Sequence, residues 1–190
     1  NKPISFEVFA DDIDEMEKQA FKIASWGSNV NIKIPITNTK KESTVNLISK
    51  LTNSGIVCNV TAVFTVEQVE SIIDKIENDS NIIISVFAGR IADAGVDPLP
   101  IMKDVMELLG EVNNVELIWA SPRELLNVFQ ANDTGCHIIT ATNDILNKLV
   151  LVGKDLDEYS LDTVKMFYED AVKVAAALEL TLTSRSKDSA

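Results

Sequence analysis

A lysine interrupts an apolar stretch of the sequence, NVNIKIPITN at residues 29–38. Alternation predicts a β-strand in which Asn31, Lys33 and Pro35 share one face and the isoleucines share the other. A lysine on the inner wall of a curved sheet loses hydration, which disfavours its ammonium form. The neutral amine can then attack a carbonyl carbon and form a Schiff base. Lys33 is therefore a candidate nucleophile, and an ion pair with Glu7 is an equally good structural interpretation.

Polar side chains occupy one face of the other predicted strands as well. This row consists of Ser5 and Glu7, Asn59 and Thr61, Ser85 with Phe87, Ser121 and Arg123, and Thr140 and Thr142. Glu7 is the inward acid beside Lys33 and is suited to moving protons. Arg90, Ser121 and Arg123 suit an anionic group, because arginine matches phosphate geometry and a helix N-terminus adds its dipole. Together these side chains predict a phosphorylated sugar as the ligand.

Each of these residues also has a purely structural interpretation. Ser121 is a good helix N-cap, with Pro122 at the first helical position and Glu124 at the third. Arg90 suits a surface ion pair, and the asparagine and threonine side chains can satisfy one another. Their joint placement at the ends of successive strands is what favours a site.

The elements that must position these residues alternate between strands and helices. Six strands are predicted at residues 4–10, 30–36, 57–64, 81–89, 115–121 and 137–142. Such alternation is typical of βαβ units and a parallel sheet. A doubly wound sheet has helices on both faces, whereas the inner face of a barrel is polar near its mouth. We therefore predict a (β/α) barrel as one domain over residues 1–182, with a polar tail at 183–190.

Composition excludes several classes of protein. The 190-residue chain has a net charge of −12, so it lacks the basic stripe that nucleic acids require. No apolar run approaches the roughly 18 residues of a membrane span. Cys58 and Cys136 lie in apolar runs, as expected for reduced, buried thiols in a cytoplasmic protein. Dinucleotide, P-loop, redox and zinc-protease motifs are absent from the sequence.

Four stretches of the chain carry a family resemblance. NIKIPIT, GIVCNVTAVFTVEQ, ISVFAGRIADAGVDP and WASPRE resemble, in order and spacing, the strand motifs of the transaldolase family, particularly its short-chain branch with the fructose-6-phosphate aldolases. The resemblance runs from SFEV to the FYEDA helix. It implies transfer of a dihydroxyacetone unit between sugar phosphates in the pentose phosphate pathway, without a metal or organic cofactor.

The resemblance also implies roles for individual residues. Lys33 matches the Schiff-base lysine, and Glu7 matches the acid that carries protons with a bound water. Asn59 and Thr61 match the pair that holds the dihydroxyacetone unit and the catalytic water. The aldolase branch has glutamine in place of Glu7, so this glutamate favours transaldolase.

The remaining matches concern substrate binding. Ser85 and Phe87 match an S-P-F segment in which Val86 replaces the proline. Arg90, Ser121 and Arg123 match the phosphate-binding positions. The alternatives are an aldolase that releases free dihydroxyacetone and a non-catalytic protein that binds sugar phosphates.

One departure from the family pattern concerns the fold. The family has a TIM (β/α)8 barrel, and its two strands before SFEV carry a catalytic aspartate and a T-N-P loop with no counterpart here. We expect an omitted N-terminal segment in preference to a reduced relative without catalysis. The long final helix is expected to pack on a neighbouring subunit, and the resemblance implies a homo-oligomer, either a pentamer or a decamer.

Overall fold

The computed structural model describes residues 2–77, 80–110 and 112–185, in which strands and helices alternate. The strands are β1 Ile4–Glu7, β2 Val30–Pro35, β3 Cys58–Val63, β4 Ile82–Val86, β5 Val115–Trp119 and β6 Ile138–Ile139. The α-helices are α1 Ile13–Ala24, α2 Val45–Asn53, α3 Val66–Ile73, α4 Ala88–Asp93, α5 Pro98–Leu109, α6 Leu126–Asp133, α7 Asn143–Asn147 and α8 Leu156–Arg185. The predicted alternation is confirmed, and α4 is a short helix that the sequence did not predict.

The strands form one parallel sheet in the order β1-β2-β3-β4-β5-β6. Neighbouring strands lie about 4.8 Å apart, so side chains on β1 and β3 do not meet across a flat sheet. Nevertheless the Asn59 side chain donates to the Ser5 hydroxyl at 3.1 Å, across β2. The sheet is therefore curled into a six-stranded half-barrel with β1 and β6 at its edges. Closure into an eight-stranded barrel stays a prediction.

The convex face of the sheet packs against the helices. Ile32 and Ile34 of β2 are fully buried there, as the alternation predicts. They join a core with Met16 of α1 and Leu51 of α2. Burying each such side chain contributes about 1.5–3 kcal/mol, which fixes the register of β2. Lys33, between the two isoleucines, is thereby held on the concave face.

A β-bulge interrupts β3 at its carboxyl end. Val60 lies opposite Ile84 and Val63 lies opposite Val86, so β3 has one extra residue between these pairs. The bulge is accommodated at Ala62, whose backbone has a left-handed conformation with φ 58°. Strict alternation would place Val63 with Asn59 on the concave face, whereas the bulge turns Val63 into the helix-side core.

Local sequence signals account for two helix ends. Thr65 and Gln68 form a capping box at the start of α3. Gly55 follows α2 with φ 78°, a conformation that glycine adopts without steric cost. Both cysteines are free thiols. Burial raises the pKa of Cys58 to about 12 and that of the half-buried Cys136 to about 11, so neither is an activated thiolate.

The chain divides into two compact units, Asn1–Asn147 and Lys148–Ala190. The first contains the sheet and helices α1 to α7, and the second contains a 3₁₀ turn at Lys148–Leu151 and helix α8. A single domain over residues 1–182 stays a prediction. Of the predicted tail at 183–190, residues 186–190 lie outside the described residues. Among the helices described, none has the length and hydrophobicity needed to cross a bilayer.

Candidate active site

A pocket of about 460 Å³ opens on the concave face, at the carboxyl ends of the strands. It is lined by Ser5, Lys33, Asn59, Thr61, Ser85, Phe87, Arg90, Ile118, Ala120, Ser121 and Thr140. Seven of the residues predicted from the sequence line it, and Glu7 and Arg123 lie outside the lining. The parallel register brings these residues together, because the carboxyl ends of all six strands meet at one edge.

Lys33 and Glu7 form an ion pair on this face. They are direct partners in the β1–β2 register, and the Lys33 ammonium donates to the Glu7 carboxylate at 3.2 Å. The side chain of Lys33 is 33% exposed and that of Glu7 is 49% exposed, because β1 is an edge strand. The ion pair expected from the sequence is confirmed, and the expected desolvation of Lys33 is only partial.

A hydrogen-bonded network fixes the side chain of Asn59. The Ser85 hydroxyl donates to the Asn59 carbonyl oxygen at 2.7 Å, and the Asn59 amide donates to the Ser5 hydroxyl at 3.1 Å. Asn59 and Ser85 are both buried. Asn59 therefore stands beside Lys33, its partner in the β2–β3 register, in a single orientation.

Replacing Ser85 with alanine is expected to destabilise the fold and release Asn59. The change leaves the buried Asn59 carbonyl without its donor, which costs about 1–3 kcal/mol in the free energy of unfolding. Urea denaturation measures this loss. The control is Ser71→Ala, because the Ser71 hydroxyl is exposed and donates within its own helix to the Gln68 carbonyl. Equal losses in the two variants would contradict a special role for the network.

Thr61 places an unsatisfied hydroxyl on the pocket wall. The residue is 3% exposed, and its Oγ1 has no hydrogen-bond partner among the described residues. Leaving a buried hydroxyl unpaired is costly, so this position suits a bound water or a polar substrate group. The bulge at Ala62 leaves Thr61 on the concave face while turning Val63 away.

The far end of the pocket is suited to an anion. The Arg90 guanidinium lies 5.7 Å from the centroid of the Phe87 ring, and Arg90 has no ion-pair partner within the described ranges. The backbone N–H of Ser121 donates to the Thr140 hydroxyl at 3.2 Å. Arg90 is therefore a cation whose donors remain available to a ligand.

The predicted helix start at Ser121 is wrong. Helix α6 begins at Leu126, and Ser121 has φ 61°, which is incompatible with an N-cap in extended conformation. The backbone N–H groups of Arg123 and Glu124 donate to the side-chain Oδ1 of Asn127, which stabilises a turn before the helix. The expected helix dipole at Ser121 is accordingly not part of the site.

Arg123 is directed away from the pocket lining. Its Nε donates to both carboxylate oxygens of Asp93, at 3.1 and 3.0 Å, and its Nη2 also contacts Asp93. These hydrogen bonds hold the pKa of the Asp93 carboxyl below its usual range and raise the pKa of Arg123. The surface ion pair that the sequence offered as an alternative for Arg90 is formed by Arg123 instead.

Four lining residues were not among the predicted site residues. Ser5 and Thr140 belong to the polar row, so strand alternation was the signal that would have identified them. Ile118 and Ala120 have no such signal, because apolar residues in strands are common. Within the described ranges, no group of three or more metal-ligating side chains is arranged to hold a metal ion.

The fold and the pocket define a (β/α) protein with a lysine on the inner wall of a cavity. The sequence pattern of the family described as Transaldolase/Fructose-6-phosphate aldolase matches residues 1–182. The chain belongs to this family.

Curated relatives agree with this assignment. A "Probable transaldolase" of Dehalococcoides mccartyi is 34% identical over 148 residues, 77% of this chain and 65% of that protein. Another "Probable transaldolase", from a Thermoanaerobacter species, is 34% identical over 149 residues, which are 78% of this chain and 65% of that protein. A third "Probable transaldolase", from Streptococcus agalactiae, is 36% identical over 139 residues, which are 73% of this chain and 61% of that protein. The chain thus spans less than two thirds of the length of these relatives.

A solved structure described as "Native KDPGal structure" is also matched. The match covers 74% of this chain and 81% of the solved chain at 14% identity, with a TM-score of 0.29. At that score the match does not define the fold, which rests on the sheet itself.

Proposed function

We propose that the protein is a transaldolase that transfers a dihydroxyacetone unit from a ketose phosphate to an aldose phosphate. The observation that carries the proposal is the position of Lys33, on the pocket wall between its register partners Glu7 and Asn59. Imine chemistry requires a primary amine in a pocket together with a group that accepts its proton, and the Glu7 carboxylate at 3.2 Å is such a group. Membership of the family gives the proposal independent support.

The amine of Lys33 attacks the ketone carbon, and water leaves as the protonated imine forms. Glu7, through the bound water, then takes the proton of the C4 hydroxyl as C4 becomes the aldehyde carbon. The bond between C3 and C4 breaks, and the imine nitrogen accepts its electron pair to give a three-carbon enamine. An aldose phosphate leaves, a second aldose phosphate is attacked by the enamine, and hydrolysis releases the new ketose. The imine is itself the electron sink, so the sequence of steps uses no metal or organic cofactor.

Glu7 moves the protons in these steps, since its carboxylate already contacts the lysine amine at 3.2 Å. The Thr61 hydroxyl, free of other partners among the described residues, holds the water that shuttles them. Asn59 and Ser85 bind the hydroxyl groups of the three-carbon unit. Their mutual hydrogen bond, in which Asn59 accepts from Ser85, keeps both side chains in one orientation before substrate arrives.

The phosphate group lies at the other end of the pocket. Arg90 offers its guanidinium there, and Ser121 offers its hydroxyl from the loop after β5. Phe87 forms the wall beside Arg90. We assign Arg123 to the same subsite, which it reaches by leaving Asp93.

Trapping the imine tests this proposal directly. Incubation with a ketose phosphate and borohydride is expected to fix a three-carbon adduct on Lys33, identified by peptide mass spectrometry. Lys50 is an internal control, because it also pairs with a glutamate, Glu17, but lies outside the pocket. An unmodified Lys33 peptide, or equal labelling of Lys33 and Lys50, would overturn the mechanism.

Two other functions share this site. An aldolase of the same family would release free dihydroxyacetone, which product analysis without an acceptor sugar detects. A non-catalytic binder of sugar phosphates would bind without forming the imine. The presence of a glutamate at position 7 supports the transferase.

The protein is further proposed to act as a cytoplasmic homo-oligomer, a pentamer or a decamer, in the pentose phosphate pathway. Helix α8 supports assembly, because it is exposed and carries apolar side chains at alternating spacings of three and four residues. These are Leu161, Val164, Tyr168, Ala171, Ala175 and Leu178. Such a stripe is typical of a helix that packs against a partner.

A further inference from the structure

The side chain of Arg123 follows one face of helix α4. Its Cγ lies 3.4 Å from the position that a Cβ on Gly89 would occupy. Its guanidinium then reaches Asp93, four residues further along α4, where Nε and Nη2 both engage the carboxylate. Residues four apart lie on the same face of a helix, so Gly89 leaves room for the side chain that Asp93 binds.

Because of this contact, the two arginines of the predicted phosphate subsite differ in what they bind. Arg90 lines the pocket beside Ser121, whereas Arg123 is bound to an anion that the chain itself supplies. A carboxylate and a phosphate bind the same edge of a guanidinium, in the same bidentate geometry. The two anions therefore compete for the donors of Arg123.

We propose that Asp93 determines specificity by competing with the substrate phosphate for Arg123. The inference rests on the proposed function, since it concerns how the same pocket takes the phosphorylated end of its substrate. With Asp93 bound, one arginine serves the anion end of the pocket. When a phosphate is present, Arg123 exchanges partners and the phosphate is held by both arginines.

The exposure of the pair makes this exchange feasible. The side chains of Arg123 and Asp93 are 47% and 52% exposed, so solvent screens their attraction. A pair of this kind favours its bound state by roughly fivefold or less. A phosphate dianion beside Arg90 carries more charge than one carboxylate and can displace it. Monoanionic or uncharged ligands gain less from the exchange, which gives the pocket its preference.

Neutralising Asp93 tests the inference. In Asp93→Asn, inorganic phosphate is expected to bind about two- to fivefold more tightly than in the wild type, measured by calorimetry at fixed ionic strength. Asp93→Glu retains the charge and is expected to stay near the wild type. Asp104→Asn removes one exposed negative charge from α5 and is the control for net charge alone. Unchanged or weaker binding in Asp93→Asn, or an equal gain in Asp104→Asn, overturns the proposal.

A second measurement follows the pair itself. The Arg123 Nε–H signal in ¹⁵N NMR spectra is expected to shift on addition of phosphate in the wild type, towards the position that it has in phosphate-bound Asp93→Asn. If the Arg123 signal does not shift on addition of phosphate, the proposed exchange of partners is refuted. Neither measurement requires catalysis, so a failure of imine trapping at Lys33 would reject the proposed transaldolase reaction without deciding the role of Asp93. With ketose phosphate as substrate, Asp93→Asn is expected to lower KM and leave kcat unchanged.

Discussion

Replacing Lys33 with methionine is expected to abolish transfer of the three-carbon unit, with kcat falling by at least about 10⁴-fold. The reason is that no other group in the pocket lining is a primary amine. Methionine has a similar length and keeps the contacts of the aliphatic stem. It removes only the amine and the ion pair with Glu7. The measurement combines an assay with a ketose phosphate donor and an aldose phosphate acceptor with borohydride trapping.

The fold of this variant is expected to survive. The Lys33–Glu7 pair is partly exposed, so its loss changes the free energy of unfolding by no more than about 1 kcal/mol. Lys50→Met is the matched control, since it removes another lysine–glutamate pair, with Glu17, and leaves the pocket intact. Residual transfer above a few per cent in a folded Lys33→Met protein would refute the role of Lys33.

Replacing Gly89 with alanine is expected to open the anion end of the pocket and to destabilise the protein. A Cβ at this position collides with the carbonyl group of Ser121, which is backbone and cannot rotate away. The N–H of Gly89 also donates to the Ala120 carbonyl at 3.3 Å, so α4 and the loop after β5 must separate. The expected cost is about 3 kcal/mol in the free energy of unfolding. Displacement of Ser121 is expected to lower kcat/KM for phosphorylated substrates by about 10²-fold.

Denaturant unfolding and steady-state kinetics measure the two effects of this change. Gly27→Ala is the control, because its nearest neighbour is the movable end of the Asn29 side chain at 3.2 Å. That variant is expected to keep both its stability and its kinetics. Should Gly89→Ala match Gly27→Ala in both, the close approach of α4 to Ser121 would not be what shapes the pocket.

Strand alternation succeeded in β2, in β4 and in the regular part of β3, and it failed in β5, where Ile118 and Ala120 line the pocket and Trp119, which has the parity of Ser121, is buried on the helix side. In β2 the isoleucines must lie against the helices, so Lys33 can only face the other way, and the sequence determines its side of the sheet. The same reasoning correctly placed Asn59 and Ser85. It does not apply beyond Thr61, because the extra residue at Ala62 reverses the alternation, and no residue in CNVTAV signals a bulge.

Side-chain partners were predicted less well than side-chain faces. The sequence suggested the pair of Lys33 with Glu7, since the two lie on adjacent strands at matching positions. It did not suggest the pair of Arg123 with Asp93, which joins residues thirty apart through a short helix that was not predicted. The motif S-P-R-E favoured a helix start by local propensity, but the close approach of Gly89 to the Ser121 carbonyl coincides with a different backbone conformation.

The sequence by itself determined the parallel (β/α) architecture, the family and the concave position of Lys33, because each depends on periodicity or on local motifs. Only the tertiary structure decided which polar residues share a pocket, which hydroxyl lacks a partner and which arginine is already bound to an acid. The physical reason is that curvature of the sheet brings Ser5 to Asn59 across a strand, and a bulge turns Val63 away from the concave face. Such contacts depend on distances between elements, which one-dimensional spacing does not encode.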